Sequence, residues 1–198
     1  IITTSRPSRR IFATSTCTLV TSGQVASNTL SPRCSAASRT ARDTPCAEKI
    51  TVAPLTLLDR LLFLINREAD KARRGEPSRI VAKMNACVDP TIIQALYAAS
   101  SAGVEIDLFV RGMCSLRPGV PGVSDRIRVT SIVDRFLEHH RIFIFGTGPG
   151  ADVLLAAADW MTRNFTRRIE TMFPIEDPAA KARILDEIIP LIMADNVK

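Results

Sequence analysis

The chain has 198 residues, 46% of them apolar, and a net charge of +6. That length allows one domain, or one domain with an appendage, and enough apolar content for a real core. The charge is uneven: residues 1–50 contribute +5 and residues 51–198 only +1. The part able to fold is nearly neutral, so a nucleic-acid reading from overall charge fails.

Residues 1–50 contain seventeen Ser or Thr and six Arg, with two acids. No period of 2 or 3.6 persists there. The composition fits a disordered segment, an organelle transit peptide, or a coding segment read out of frame. The first residue is Ile rather than Met, so the chain reads as part of something longer. We take residues 1–48 as an atypical segment and residues 49–198 as the folded domain.

The first regular stretch carries Leu55, Leu58, Leu61, Leu62, Ile65 and Ala69 at helical spacing, with Arg60, Arg67, Glu68 and Lys71 on the other face. Thr56 is its expected N-cap, with Asp59 completing a weak capping box, and Gly75 ends it. Residues 78–84 read as a buried strand. Asp89-Pro90 opens a helix that Gly103 stops. Residues 104–110 read as a strand in which Glu105 and Asp107 alternate with apolar residues. A Pro/Gly loop over 112–122 precedes strands at 127–133 and 141–145. Gly146–Gly150 reads as a plain turn; it lacks the Lys of a phosphate loop. Strands at 153–158 and 168–174 follow, then a helix over 179–194 kinked by Pro190. The order α-β-α-β-β-β-β-β-α predicts an α/β fold, a mixed sheet covered by helices.

The apolar runs at 61–65 and 188–193 are far too short to cross a bilayer. Cysteines at 17, 34, 46, 87 and 114 form no CxxC and no zinc spacing. They read as reduced thiols in a cytoplasmic protein.

Six arginines fall between positions 111 and 141: Arg111, Arg117, Arg126, Arg128, Arg135 and Arg141. Asp125, Asp134 and Glu138 are the acids among them. Guanidinium forks suit phosphate oxygens, and a histidine titrates near neutrality. Arg111 ends a predicted strand, where α/β folds place ligand contacts; its structural alternative is an ion pair with Asp107 or Asp125. His139 and His140 are the two histidines. By strand parity His139 shares a face with Arg141, a Glu138–His139 pair is disfavoured, and His140 faces solvent. Trp160 reads as the core's edge, with Arg163 and Asn164 as candidate site residues beside it.

These segments carry a resemblance. VRGMCSLRPGVPG and IRVTSIVDRFLEH, followed by AADWMTRN and FPIEDP, are similar to the C-terminal part of type-1 polyphosphate kinase. VAPLTLLDRLLFLI, KMNACVDP and ADNVK agree with it, and the likeness runs over 49–198. It implies a phospholipase-D-like fold and reversible transfer of the terminal phosphate of ATP to inorganic polyphosphate. It makes Arg111 and His139 ATP-binding residues, with His139 catalytic, facing the transferring phosphoryl group. The family's phosphate-carrying histidine falls in a domain that these residues do not represent. ATP and Mg²⁺ are the implied cofactors, Mg²⁺ being bound mainly outside these residues. ATP, ADP and polyphosphate are the implied partners, and the parent enzyme is expected to be a homo-oligomer that binds no nucleic acid. No metal ligands are assigned. From charge alone, Arg117, Arg163 and Arg168 are candidate polyphosphate contacts. A nucleotide-binding Tyr of the family falls on Phe12, which has no hydroxyl. A catalytically inactive ATP- or polyphosphate-binding module is the alternative. A phosphodiesterase of phospholipase D type ranks below both, because His139-His140-Arg141 offers Arg where that chemistry wants Lys.

Overall fold

The computed structural model describes residues 49–133 and 135–195; the expectations for residues 1–48, Phe12 included, lie outside them. Seven strands form one sheet in the order β1-β7-β6-β5-β2-β3-β4. In chain order they are Thr51–Ala53 (β1), Arg79–Met84 (β2), Glu105–Val110 (β3), Ile127–Thr130 (β4), Ile142–Phe145 (β5), Asp152–Ala156 (β6) and Glu170–Pro174 (β7). The pairs β2–β3 and β3–β4 are parallel. The pairs β2–β5, β5–β6, β6–β7 and β1–β7 are antiparallel. The expected mixed sheet covered by helices is what the chain forms.

Helices α1 (Leu57–Arg73) and α2 (Pro90–Ala102) cover one face. Ile80, Ala82, Met84, Ile106, Leu108, Phe143 and Phe145 pack there with Leu61, Leu64, Ile92 and Leu96. The alternate residues Val81, Phe109, Ile142, Ile144 and Val153 meet Ile184, Ile189 and Ile192 on the other face. With both faces buried, central strands lose the apolar–polar alternation and read as continuous apolar runs. Fully burying such an aliphatic side chain contributes about 1.5–3 kcal/mol.

The α2 boundaries follow from chemistry that the sequence displays. Asp89 accepts hydrogen bonds from the Thr91 and Ile92 amides, and Gly103 ends the helix at φ 109°. For α1 the structure corrects the expectation. Thr56 makes no side-chain cap; its hydroxyl bonds back to Val52 at the cis Ala53–Pro54 corner. Leu55 lies outside the helix and is 77% exposed. The buried stripe is Leu57, Leu61, Leu64, Ile65, Glu68 and Ala69. Glu68 is thus inside rather than on the polar face. Its Oε1 accepts from Arg67 at 2.9 Å and Lys71 at 2.8 Å, which makes its burial tolerable.

Strand β4 stops at Thr130, short of the expected 133, and residues 135–141 contain no strand. His139 is therefore on a connecting segment. Two short elements escaped the periodicity: β1, which among the described residues pairs only with β7, and α3 (Thr162–Thr166). The expected C-terminal helix is built as α4 (Pro178–Arg183), a π turn over Ile184–Ile188, and α5 (Ile189–Ala194). Pro190 has no amide to donate, and the wider turn precedes it.

Candidate functional site

Beyond the ends of β2 and β3 the two chains keep running side by side. The Arg111 amide donates to the Met84 carbonyl at 3.3 Å, and Gly112 to Asn85 at 2.7 Å. A Cβ on Gly112 would lie 3.0 Å from the Asn85 carbonyl oxygen, so glycine permits this approach. On the other side, the Trp160 amide donates to Ala86 at 3.1 Å, while Val88 and Asp89 donate to the Trp160 carbonyl. Thr162 Oγ1 completes the lock on Asp89 Oδ2 at 2.7 Å. Residues 84–89 are thereby bracketed by 111–115 and by 159–162.

The connection into β5 arrives at this same edge. Arg111 Nη1 donates to the carbonyl of Glu138, beside His139. The ion pair with Asp107 or Asp125 does not form: Asp107 is taken by Arg79 at 2.6 Å and Arg128 at 2.7 Å, and Asp125 accepts from the Gly122 amide. No carboxylate among the described residues pairs with Arg111. Glu138 Oε2 instead lies 2.6 Å from Lys83 Nζ as an ion pair, with His140 Nε2 at 3.7 Å. Lys83 is 5% exposed, a charge buried in a strand. Burial lowers the His140 pKa, and the Lys83 charge adds to that against the opposing pull of Glu138.

His139 is exposed, and its Nδ1 lies 3.0 Å from Arg141 Nη1. A guanidinium only donates, so Nδ1 is the acceptor and the neutral ring carries its proton on Nε2. Arg141 is itself held by Asp159 through two bonds of 3.1 Å. The Asn85 amide adds a bond of 2.8 Å to the same carboxylate. Burial works to raise Asp159, but the bonds from Arg141 and Asn85 outweigh it and hold the carboxylate below its ordinary range. The chain Asp159–Arg141–His139 fixes a ring with a donor to offer. Arg111, bonded to the carbonyl of the residue before His139, has donors to spare. Such an arrangement can bind an oxyanion.

The other expected contacts sit apart. Arg163 and Arg168 are exposed; Arg163 follows Thr162, whose hydroxyl bonds Asp89, and Arg168 lies just before β7. Arg168 lies 4.0 Å from Glu170. Arg117 is exposed over α2, where its amide donates to Tyr97 Oη at 2.9 Å. Asn164 is buried and donates to Glu170, and Trp160 packs 5.0 Å from Phe143. Sequence reasoning missed Lys83, Glu138 and Asp159. A lysine inside the apolar run RIVAKM was the available signal for the first; nothing in spacing announced the others. A cavity of about 310 Å³, lined by Arg79, Gly146, Lys181, Leu185 and Ile189 among others, lies at the opposite edge.

Comparison with known proteins decides the family. Residues 50–198 match the sequence model of polyphosphate kinase C-terminal domain 2. The chain belongs to this family. A polyphosphate kinase of Thermosynechococcus vestitus is 57% identical over 148 residues, covering 75% of this chain and 20% of that protein. One from Burkholderia lata is 53% identical over 144 residues, covering 73% and 21%. The chain thus spans about a fifth of the length of these relatives. The crystal structure of polyphosphate kinase from Porphyromonas gingivalis superposes with a TM-score of 0.72 at 43% identity, over 76% of this chain and 23% of that one. NucT from Helicobacter pylori shares the fold at a TM-score of 0.52 and 12% identity, over 73% and 94%. The mixed sheet covered by helices agrees with the expected architecture. Among the described residues no helix is long and apolar enough to cross a membrane.

Proposed function

We propose that this chain carries part of the ATP site of an ATP–polyphosphate phosphotransferase. The observation that carries this reading is Arg111 bonded to the carbonyl next to His139, with no carboxylate among the described residues pairing with its guanidinium. Phosphoryl transfer depends mostly on positioning and charge neutralisation. Arg111 holds phosphate oxygens by charge-assisted bonds. His139, oriented by Arg141, donates from Nε2 to the phosphoryl group in transit and stabilises the charge developing there. Polyphosphate is the acceptor in one direction and the donor in the other, and the exposed Arg163 and Arg168 flank its path.

Mg²⁺ enters on the triphosphate. Among the described residues no group of three or more His, Cys, Asp or Glu could hold a metal ion, so their donor set does not fit a protein-held cation. The second reading is a module that binds ATP or polyphosphate without transferring phosphate.

One experiment separates the two. The purified chain is titrated with Mg–ATP and then incubated with Mg–ATP and polyphosphate while ADP is followed. Saturable binding with polyphosphate-dependent ADP formation supports the transferase. Binding without ADP supports the module. No binding by the folded chain rejects both.

A further inference from the structure

The backbone that presents Arg111 also sets two cysteines side by side. Cys87 and Cys114 are parallel bridge partners just beyond β2 and β3. The Cys87 amide donates to the Met113 carbonyl at 2.9 Å, and the Ser115 amide to the Cys87 carbonyl at 2.9 Å. Paired residues on adjacent strands point their side chains to the same side. Their Cα atoms sit about 4.8 Å apart by strand spacing, inside the roughly 4.4–6.8 Å that disulfides span. Both thiols are free, Cys87 fully buried and Cys114 partly exposed. Nothing in the phosphate-binding arrangement uses either of them.

The two sulfurs are not equivalent. A hydrogen bond from Cys87 holds the Cys114 thiol below the ordinary range. The same bond, with burial, holds Cys87 above it. Cys114 is the partly exposed partner and the one whose pKa is lowered, which makes it the attacking sulfur, and the buried Cys87 resolves.

We propose that Cys87 and Cys114 form an oxidation site that a hydroperoxide closes to a disulfide. Cys114 thiolate attacks a peroxide oxygen; the O–O bond breaks, leaving a sulfenic acid and hydroxide. Cys87 sulfur then attacks the sulfenic sulfur, the S–O bond breaks, and hydroxide leaves with the Cys87 proton as water. With hydrogen peroxide, two thiols lose two electrons and the peroxide becomes two waters. The bond ties the turn that holds Arg111 to the exit of β2. That consequence for ATP rests on the proposed function; the bond itself does not.

The reduced full chain is treated with hydrogen peroxide, blocked with iodoacetamide and digested with trypsin. Cys87 then lies in the fragment 84–111 and Cys114 in the fragment 112–126, since Arg117 precedes Pro118. The expected product is the two fragments joined, lighter than their sum by two hydrogens, and separated by dithiothreitol. It is absent from Cys114→Ser and from Cys87→Ala. Recovery of both cysteines alkylated, of Cys114 over-oxidised, or of Cys114 joined to Cys17, Cys34 or Cys46 overturns the proposal. Because the link is mapped without nucleotide, a chain that fails to bind ATP leaves this result intact.

Discussion

Two clusters of cations lie at opposite ends of the β2–β3 pair, and they are built differently. At the entrance, Arg79 and Arg128 close on the buried Asp107, each through an ion pair under 3 Å. At the exit, the one partner of the Arg111 guanidinium among the described residues is a backbone carbonyl, while Lys83 is matched by Glu138 and Arg141 by Asp159. The first cluster is electrostatically complete. The second is complete except at Arg111 and His139, and that incompleteness is what an anionic ligand can use. A count of arginines does not distinguish the two; the pairing does.

The sharpest way to break the second cluster is Asp159→Ala. Both partners of the Arg141–Asp159 pair are about nine-tenths buried, with side chains 11% and 10% exposed. Removing the carboxylate strands Arg141 and should cost about 3–5 kcal/mol, read by denaturant unfolding. A loss below about 1 kcal/mol would mean that Arg141 relaxes into water and that His139 is not fixed through it.

Asp107→Asn tests the entrance cluster. Arg79 and Arg128 are 36% and 61% exposed, so solvent screens part of what is lost. The expected cost is about 1–2 kcal/mol. Burial acts to raise Asp107, and the bonds from Arg128 and Arg79 bring it below its ordinary value. A depressed carboxylate contributes stability above its unfolded pKa and loses it as pH falls through the folded one. Unfolding followed on the acid side should therefore fall less steeply in Asp107→Asn than in the parent. Parallel acid profiles would refute the assignment.

Lys83→Met has the smallest expected effect. Removing a positive neighbour should raise the His140 pKa, since Lys83 lowers it, while burial keeps part of the depression. Histidine proton NMR across neutral pH reads this directly. An unmoved or lowered His140 would show that Lys83 does not reach it.

Much of the fold was legible because single residues carried it. Asp89-Pro90 and Gly103 delimit α2 by their own capping chemistry. The face of α1 was misread because Glu68, a charge, occupies the buried stripe, and only Arg67 and Lys71 make that tolerable. β1 has 3 residues and α3 has 5, too few for a period to register. Arg111 and His139 were reached through the resemblance and the ends of predicted elements. Their supports were not, because the order β6-β5-β2-β3 is what brings Asp159 to Arg141 and Glu138 to Lys83. No local pattern encodes that order. Arg117 shows the converse: it stands close to Arg111 in sequence, yet its loop is carried over α2 by Tyr97.

The most direct test of the central claim compares one arginine from each cluster. Calorimetric titration with Mg–ATP is run on the parent chain, on Arg111→Ala and on Arg79→Ala. The account predicts that Arg111→Ala folds normally and loses about 1.5–3 kcal/mol of binding, a tenfold to hundredfold drop in affinity. Arg79→Ala should bind ATP as the parent does while losing stability. Equal affinity in the parent and Arg111→Ala, or equal losses in both variants, would contradict it.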